Sequence, residues 1–379
     1  MQAAISRPTA SFARFPNTAS LTRRVSQFRK ASCFSKKKTP TAIFRTRVAD
    51  MSLSAAQAKD TCVLFDFDGT LGDTETPAME VAYWELVPYF PNYQVSDVTE
   101  EFKAEFIRDS AGKAFEFMVE KCDKDRAQAG LPPIHEIRAA KGEDPEMLAF
   151  VDRYREKFGL QTFAQMRGPG GEEPADILTL QKDDTVLALE TLAEACPGVK
   201  ETLGKLEEMG VRFAIATTSG KPRVPVSVKA SGLSVWFSPG KIHSGESDFD
   251  PPRFKPDPSV YLLAAESEAA KIEDCIAVED SASGVGSASN AGVGMIVGYV
   301  GASHIKEAVI DSHAKMLMDG TKADNGIGAD IVIEDFSDLL TLVSLFQEMD
   351  RARRPVPIPD EVVKSLKGRH WLRAPAMSP

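Results

Sequence analysis

Asp66 and Asp68 stand two residues apart at the end of the apolar run Cys62-Val-Leu-Phe65. On an extended strand, side chains at i and i+2 point to the same side, so both carboxylates face one place. Gly69 and Thr70 then turn the chain away. Two acids at a strand end can serve as nucleophile and proton carrier, or can hold a hard cation. Three further elements follow. Thr217 closes the run Ala214-Ile-Ala216 and puts a hydroxyl, with Thr218 beside it, at a second strand end. Lys255, in Phe254-Lys-Pro-Asp-Pro258, brings an ammonium on an approach stiffened by Pro256. Glu279 and Asp280 close Cys275-Ile-Ala-Val278, and Ser281 and Gly284 open the next helix. Read singly, each has an ordinary explanation: solvated aspartates, N-cap residues or a surface lysine. Their succession at strand ends carries the functional argument.

The elements that must position these groups can be read from hydrophobic patterning. Cys62–Phe67, Val211–Ala216, Cys275–Glu279, Val293–Gly298 and Asp330–Ile333 are short apolar runs ended by polar or Gly-rich turns, the pattern of buried strands. Between them lie helical stretches at 198–209 and 259–271, the first stopped by Gly210. Alternating strands and helices predict an α/β fold with a Rossmann-like parallel sheet. The segment from Thr76 to Ala195 differs. It carries helical patterns at 78–87, 100–122 and 147–158, no convincing buried strand, and irregular connections at Pro132-Pro133 and Gly168-Pro-Gly-Gly171. The expected organisation is a core of residues 59–76 and 195–349, a helical insertion at 77–194, and a C-terminal tail at 350–379 anchored by Trp371 and Leu372. The connection 301–328 is longer than the fold requires.

Charge divides the chain. The whole carries −10, yet residues 1–50 hold eleven Lys or Arg and a single acid, Asp50, which leaves −20 for the remainder. A body this acidic argues against nucleic acid and anionic membranes as partners. Residues 1–58 are rich in Ser, Thr, Ala and Arg. They read as an organellar transit peptide, for the chloroplast rather than the mitochondrion, in preference to a basic tail. No run approaches the roughly 18 apolar residues of a membrane span. The five cysteines are scattered without CxxC spacing, which argues against a disulfide framework or a zinc site and fits a reducing compartment.

Asp66-x-Asp68-Gly-Thr-Leu71, Thr217, Lys255-Pro256 and Glu279-Asp280-Ser-x-x-Gly284 resemble, in order and spacing, the four motifs of the haloacid dehalogenase superfamily. The likeness spans residues 61 to about 300. The insertion resembles that superfamily's small C1 cap. Cys196-Pro-Gly-Val199, Ala216-Thr-Thr-Ser219, Asp257-Pro-Ser-Val-Tyr-Leu-Leu263 and Ser110-Ala-Gly-Lys113 resemble the CbbY-like and β-phosphoglucomutase-like branch. The resemblance implies a phosphatase acting on a small phosphorylated metabolite, and we expect a monomer. Asp66 would be the nucleophile and would form an aspartyl-phosphate, with Asp68 as acid and then base. Mg²⁺ would lie on Asp66, the Asp68 carbonyl and Asp280, with Glu279 beside or on it. Lys255 and Thr217 would hold the transferring group, and Thr70, Thr218 and Lys113 would contact substrate. Asp73 would steady the hinge into the cap.

Three other readings compete. A phosphomutase of this type carries a histidine shortly after the first motif, but Thr76-Pro-Ala-Met-Glu-Val81 has none and the next histidine is His135. The same absence weakens the case for a pentulose bisphosphate substrate. A dehalogenase lacks an acid such as Asp68. A non-catalytic phosphometabolite-binding protein predicts a damaged motif, yet Asp66, Asp68, Lys255 and Asp280 all stand.

Overall fold

A computed structural model describes residues 61–110, 115–221, 223–349 and 354–373. The expectations placed on residues 1–58 and on Lys113 lie outside these residues.

The five apolar runs are strands, and four more join them. In chain order they are β1 (Cys62–Phe65), β2 (Gly72–Asp73), β3 (Glu194–Ala195), β4 (Arg212–Thr217), β5 (Ile242–Ser244), β6 (Cys275–Glu279), β7 (Met295–Tyr299), β8 (Ile331–Ile333) and β9 (His370–Leu372). Seven form one sheet in the order β5-β4-β1-β6-β7-β8-β9. All its pairings are parallel except β8 with β9. Strands covered on both faces must be apolar throughout, and β1, β6, β7 and β8 are buried along their whole length. One face packs Phe65, Phe213, Phe237, Tyr299 and Phe336. The other packs Leu64, Ala216, Tyr261, Val285 and Leu317. Burying a large side chain of this kind contributes about 1.5–3 kcal/mol.

β1 lies between β4 and β6, with Phe65 level with Ile215 on one side and Val278 on the other. From β1 the chain runs outward to β4 and β5, then returns to build β6, β7 and β8 on the opposite side. The carboxyl end of β1 is therefore a topological switch point, where open α/β sheets bind ligands.

The insertion is helical. The helices Glu75–Leu86, Glu100–Ser110, Phe115–Gln128, Ile134–Ala140, Pro145–Lys157, Phe163–Arg167 and Ile177–Leu192 lie between β2 and β3. Over the stretch expected as one helix at 100–122, the described residues hold two, Glu100–Ser110 and Phe115–Gln128. β2 and β3 pair antiparallel, Gly72 with Ala195 and Asp73 with Glu194, so the chain leaves and re-enters the core at adjacent points. Inside the insertion, Arg155 is fully buried. It donates to Glu85, and from Nη2 to Asp184 at 2.8 Å.

Candidate active site

Each expected group other than Lys113 is found at the carboxyl edge of the sheet or in a loop beside it. Asp66 follows β1, and its amide donates to the Val278 carbonyl of β6 at 3.0 Å. Lys255 reaches in from the loop that precedes the helix Ser259–Ser267. Its ammonium donates to Asp66 Oδ1 and to Glu279 Oε1, each at 2.6 Å. All three side chains are buried. Tyr261, on that helix, donates its hydroxyl to the same Glu279 oxygen at 2.5 Å, and Ser281 donates to Glu279 Oε2 at 3.3 Å.

Asp280 completes an acidic cluster. Asp66, Glu279 and Asp280 each offer a carboxylate oxygen, and these lie within 4.8 Å of one another. Two glycines permit this crowding. Gly69 has φ of +79°, and a Cβ there would strike the Asp280 carboxylate; a Cβ on Gly284 would overlap the Glu279 carboxylate. Three carboxylates face one ammonium, which leaves two formal negative charges in a buried space. Burial pushes the Asp66 carboxyl well above the usual carboxylate range despite Lys255, and the charges of Glu279, Asp280 and Asp68 add to the effect. Burial likewise raises Glu279, against the opposing pull of Lys255. Burial alone would lower Lys255, but Asp66 and Glu279 raise it, so it stays charged. A cluster of hard oxygen donors with surplus negative charge fits a divalent cation such as Mg²⁺.

Asp68 faces elsewhere. It accepts from Thr74 Oγ1 at 2.5 Å, Ser219 Oγ at 2.5 Å and Arg223 Nη2 at 2.9 Å. Burial would push its carboxyl up, but the Arg223 charge and the two hydroxyls hold it below the ordinary range. Its side chain is thus separate from the acidic cluster. Thr217 is buried at the end of β4, where its hydroxyl accepts from the Ser219 amide at 3.1 Å. Thr218 is half-buried in the same turn. The Thr70 hydroxyl is buried and has no partner among the described residues. Asp73 accepts from Ser303 at 2.7 Å, which ties the start of the insertion to the loop after β7.

Residues 61–292 match the profile described as haloacid dehalogenase-like hydrolase, more than half of the chain. The chain belongs to this hydrolase family. The described fold agrees with it: a conserved haloacid dehalogenase-like protein of unknown function from Agrobacterium tumefaciens superposes with a TM-score of 0.51 at 24% identity, over 76% of this chain and 99% of that one. Among curated relatives, a CBBY-like protein of Arabidopsis thaliana is 34% identical over 112 residues, 30% of this chain and 34% of that protein. Hexitol phosphatase A of Escherichia coli is 28% identical over 145 residues, 37% of this chain and 62% of that protein. Each of these two matches takes in less than two thirds of the relative. The naming of relatives agrees with the likeness to the CbbY-like branch of the hydrolase family.

Sequence reasoning did not find Thr74, Arg223 or Tyr261. Tyr261 lies in the quoted segment Asp257–Leu263 and Thr74 just after the first motif, but nothing in their spacing announces a hydroxyl aimed at a carboxylate. Arg223 is 155 positions from its partner, and no local pattern encodes that contact.

Proposed function

We propose that this hydrolase is a Mg²⁺-dependent phosphatase that cleaves a small sugar-phosphate-type ester through an aspartyl-phosphate on Asp66. The observation that carries the reading is the bridge from Lys255 to Asp66 and Glu279 beside the Asp280 carboxylate. Lys255 works against the upward push of burial on the Asp66 carboxyl, a bound cation would add to that pull, and Lys255 neutralises charge on the transferring group. Glu279 has both oxygens engaged by Lys255, Tyr261 and Ser281, so we assign it to anchoring Lys255 and reserve the cation for Asp66, Asp280 and the Asp68 carbonyl. When bound, the cation offsets the repulsion between carboxylates and phosphate.

Asp68 protonates the leaving alkoxide and afterwards takes a proton from water, two steps with opposite proton flow. Its grip on Thr74, Ser219 and Arg223 describes the resting arrangement. Thr217, Thr70 and Thr218 line the phosphate side by position. The helical insertion acts as a cap that excludes bulk water, with β2 and β3 as its hinge. Lys113 remains our candidate for the far end of the substrate. The sugar-phosphate class rests on the relatives' names, hexitol phosphatase among them, and chloroplast targeting rests on the composition of residues 1–58.

The test is a panel of phosphate esters offered to the purified chain with and without Mg²⁺, beside Asp66→Asn. Metal-dependent phosphate release by the wild type alone is expected. No release from any ester would sink the proposal, and interconversion of a sugar 1-phosphate with a bisphosphate primer would replace it with mutase chemistry.

A further inference from the structure

The connection after β7 supplies Ser303 to Asp73. It also carries two histidines, and both bond to Asp280. His304 Nε2 lies 3.3 Å from Asp280 Oδ2. His313, on the helix Ile310–Asp319, places Nε2 2.6 Å from the Asp280 backbone carbonyl. Carboxylate and carbonyl oxygens only accept, so both rings donate from Nε2.

The loop that presents His304 is held on several sides. Ala302 is buried in the core on one face of the sheet and Ile305 in the core on the other. The Ile305 amide closes the turn on the Ala302 carbonyl at 3.1 Å. Between them, Ser303 donates to Asp73 and lies 3.2 Å from Thr76 Oγ1. The His304 ring packs against the Gly69 turn, where a Cβ would strike it as well as Asp280. His313 is fixed by its own helix, whose Ala314 and Leu317 are buried against the sheet.

We propose that His304 and His313 are positioning residues for the metal. They clamp Asp280 by its carboxylate and by its main chain, and leave Oδ1 for the ion. The long connection is then part of the metal site rather than a spare insertion. Hydrogen-bonded partners that orient a ligand typically contribute 10–100-fold to metal affinity. The inference rests on the Mg²⁺ site proposed above.

Calorimetric titration of the full chain with MgCl₂ tests it, comparing wild type with His304→Leu, His304→Gln and His313→Leu. The expected result is an Mg²⁺ Kd raised roughly tenfold or more in His304→Leu and raised also in His313→Leu. His304→Gln, whose amide can still donate, recovers most of the affinity. KM for p-nitrophenyl phosphate at saturating Mg²⁺ and Tm in EDTA stay near wild type. If His304→Leu does not fold, the difference in Kd between His304→Gln and the shorter His304→Asn carries the test, with weaker binding expected in Asn. Metal affinity within twofold of a metal-binding wild type in every folded variant overturns this inference alone. A wild type that binds no Mg²⁺ overturns the proposed function and this inference with it.

Discussion

Arg223 reaches back to Asp68, Nη2 to Oδ1 at 2.9 Å, and so holds the carboxylate that the proposed reaction needs as a proton carrier. Around it, burial pushes the Asp68 carboxyl up, while Arg223, Ser219 and Thr74 pull it below its ordinary value. Removing the cation releases that pull. In Arg223→Gln the Asp68 pKa rises and Asp68 stays protonated to higher pH. The alkaline limb of kcat/KM is therefore expected to move to higher pH, with kcat at neutral pH down about tenfold from lost orientation. A pH–rate profile of the variant checks both; an unmoved limb would remove Asp68 from the acid role.

The two aspartates should fail differently. Asp66→Asn abolishes turnover because no nucleophile remains. Asp68→Asn keeps the nucleophile but loses proton transfer, at a cost of about 10²–10⁴ in kcat. Esters with good leaving groups need little acid assistance, so the Asp68→Asn defect should shrink on p-nitrophenyl phosphate relative to a sugar phosphate. Steady-state kinetics on the two substrates reads this directly.

Mg²⁺ should stabilise the protein as well as activate it. Three buried carboxylates against one ammonium repel one another until a cation arrives. At a hundred times its Kd, a ligand specific for the folded state adds about 2.7 kcal/mol, a rise of several degrees in Tm for a chain of this size. Thermal melts in Mg²⁺ and in EDTA should differ by that amount in the wild type and hardly at all in Asp280→Asn.

Within the insertion, Arg155 is buried between Glu85 and Asp184, one cation for two acids. Burial pushes the Glu85 carboxyl up to about 8, against the opposing charge of Arg155 and with the help of Asp184. A carboxyl with a raised folded-state pKa binds more protons folded than unfolded over that window. Stability is therefore full below the ordinary glutamate range and falls as pH rises towards 8. The loss is of the order of a few kcal/mol. Urea unfolding at pH 5 and pH 8 should show the decline in wild type and a flatter dependence in Glu85→Gln. Arg155→Leu, which leaves two buried acids unpaired, should cost about 3–5 kcal/mol at neutral pH.

Much of this molecule can be read from its chain, and the boundary of what can be read has physical causes. β1, β4, β6, β7 and β8 announce themselves because strands buried on both faces need uninterrupted apolar residues. Their ends are marked by the chemistry they carry: Asp66, Thr217, Glu279. β5 is three residues, Ile242-His-Ser244, and is a strand only because the edge of β4 is there to pair with it. β9 lies in a tail rich in Pro, Lys and Arg. Trp371 and Leu372 were legible as anchors, but their antiparallel pairing with Val332 and Ile331 depends on an open edge built from distant sequence. The same holds in the site. Lys255 could be suspected from its Pro-stiffened loop, whereas Arg223 and the two histidines on Asp280 gain their meaning only when the sheet brings them together.

The pairing of Gly72 with Ala195 and Asp73 with Glu194 brings the two ends of the insertion side by side. A detour that begins and ends at one point can change without moving the framework it departs from. The rest of the chain never has to measure its length. Residues 74–193 are in that sense an exchangeable cartridge: a short glycine bridge from Asp73 to Glu194 should leave the seven-stranded sheet standing.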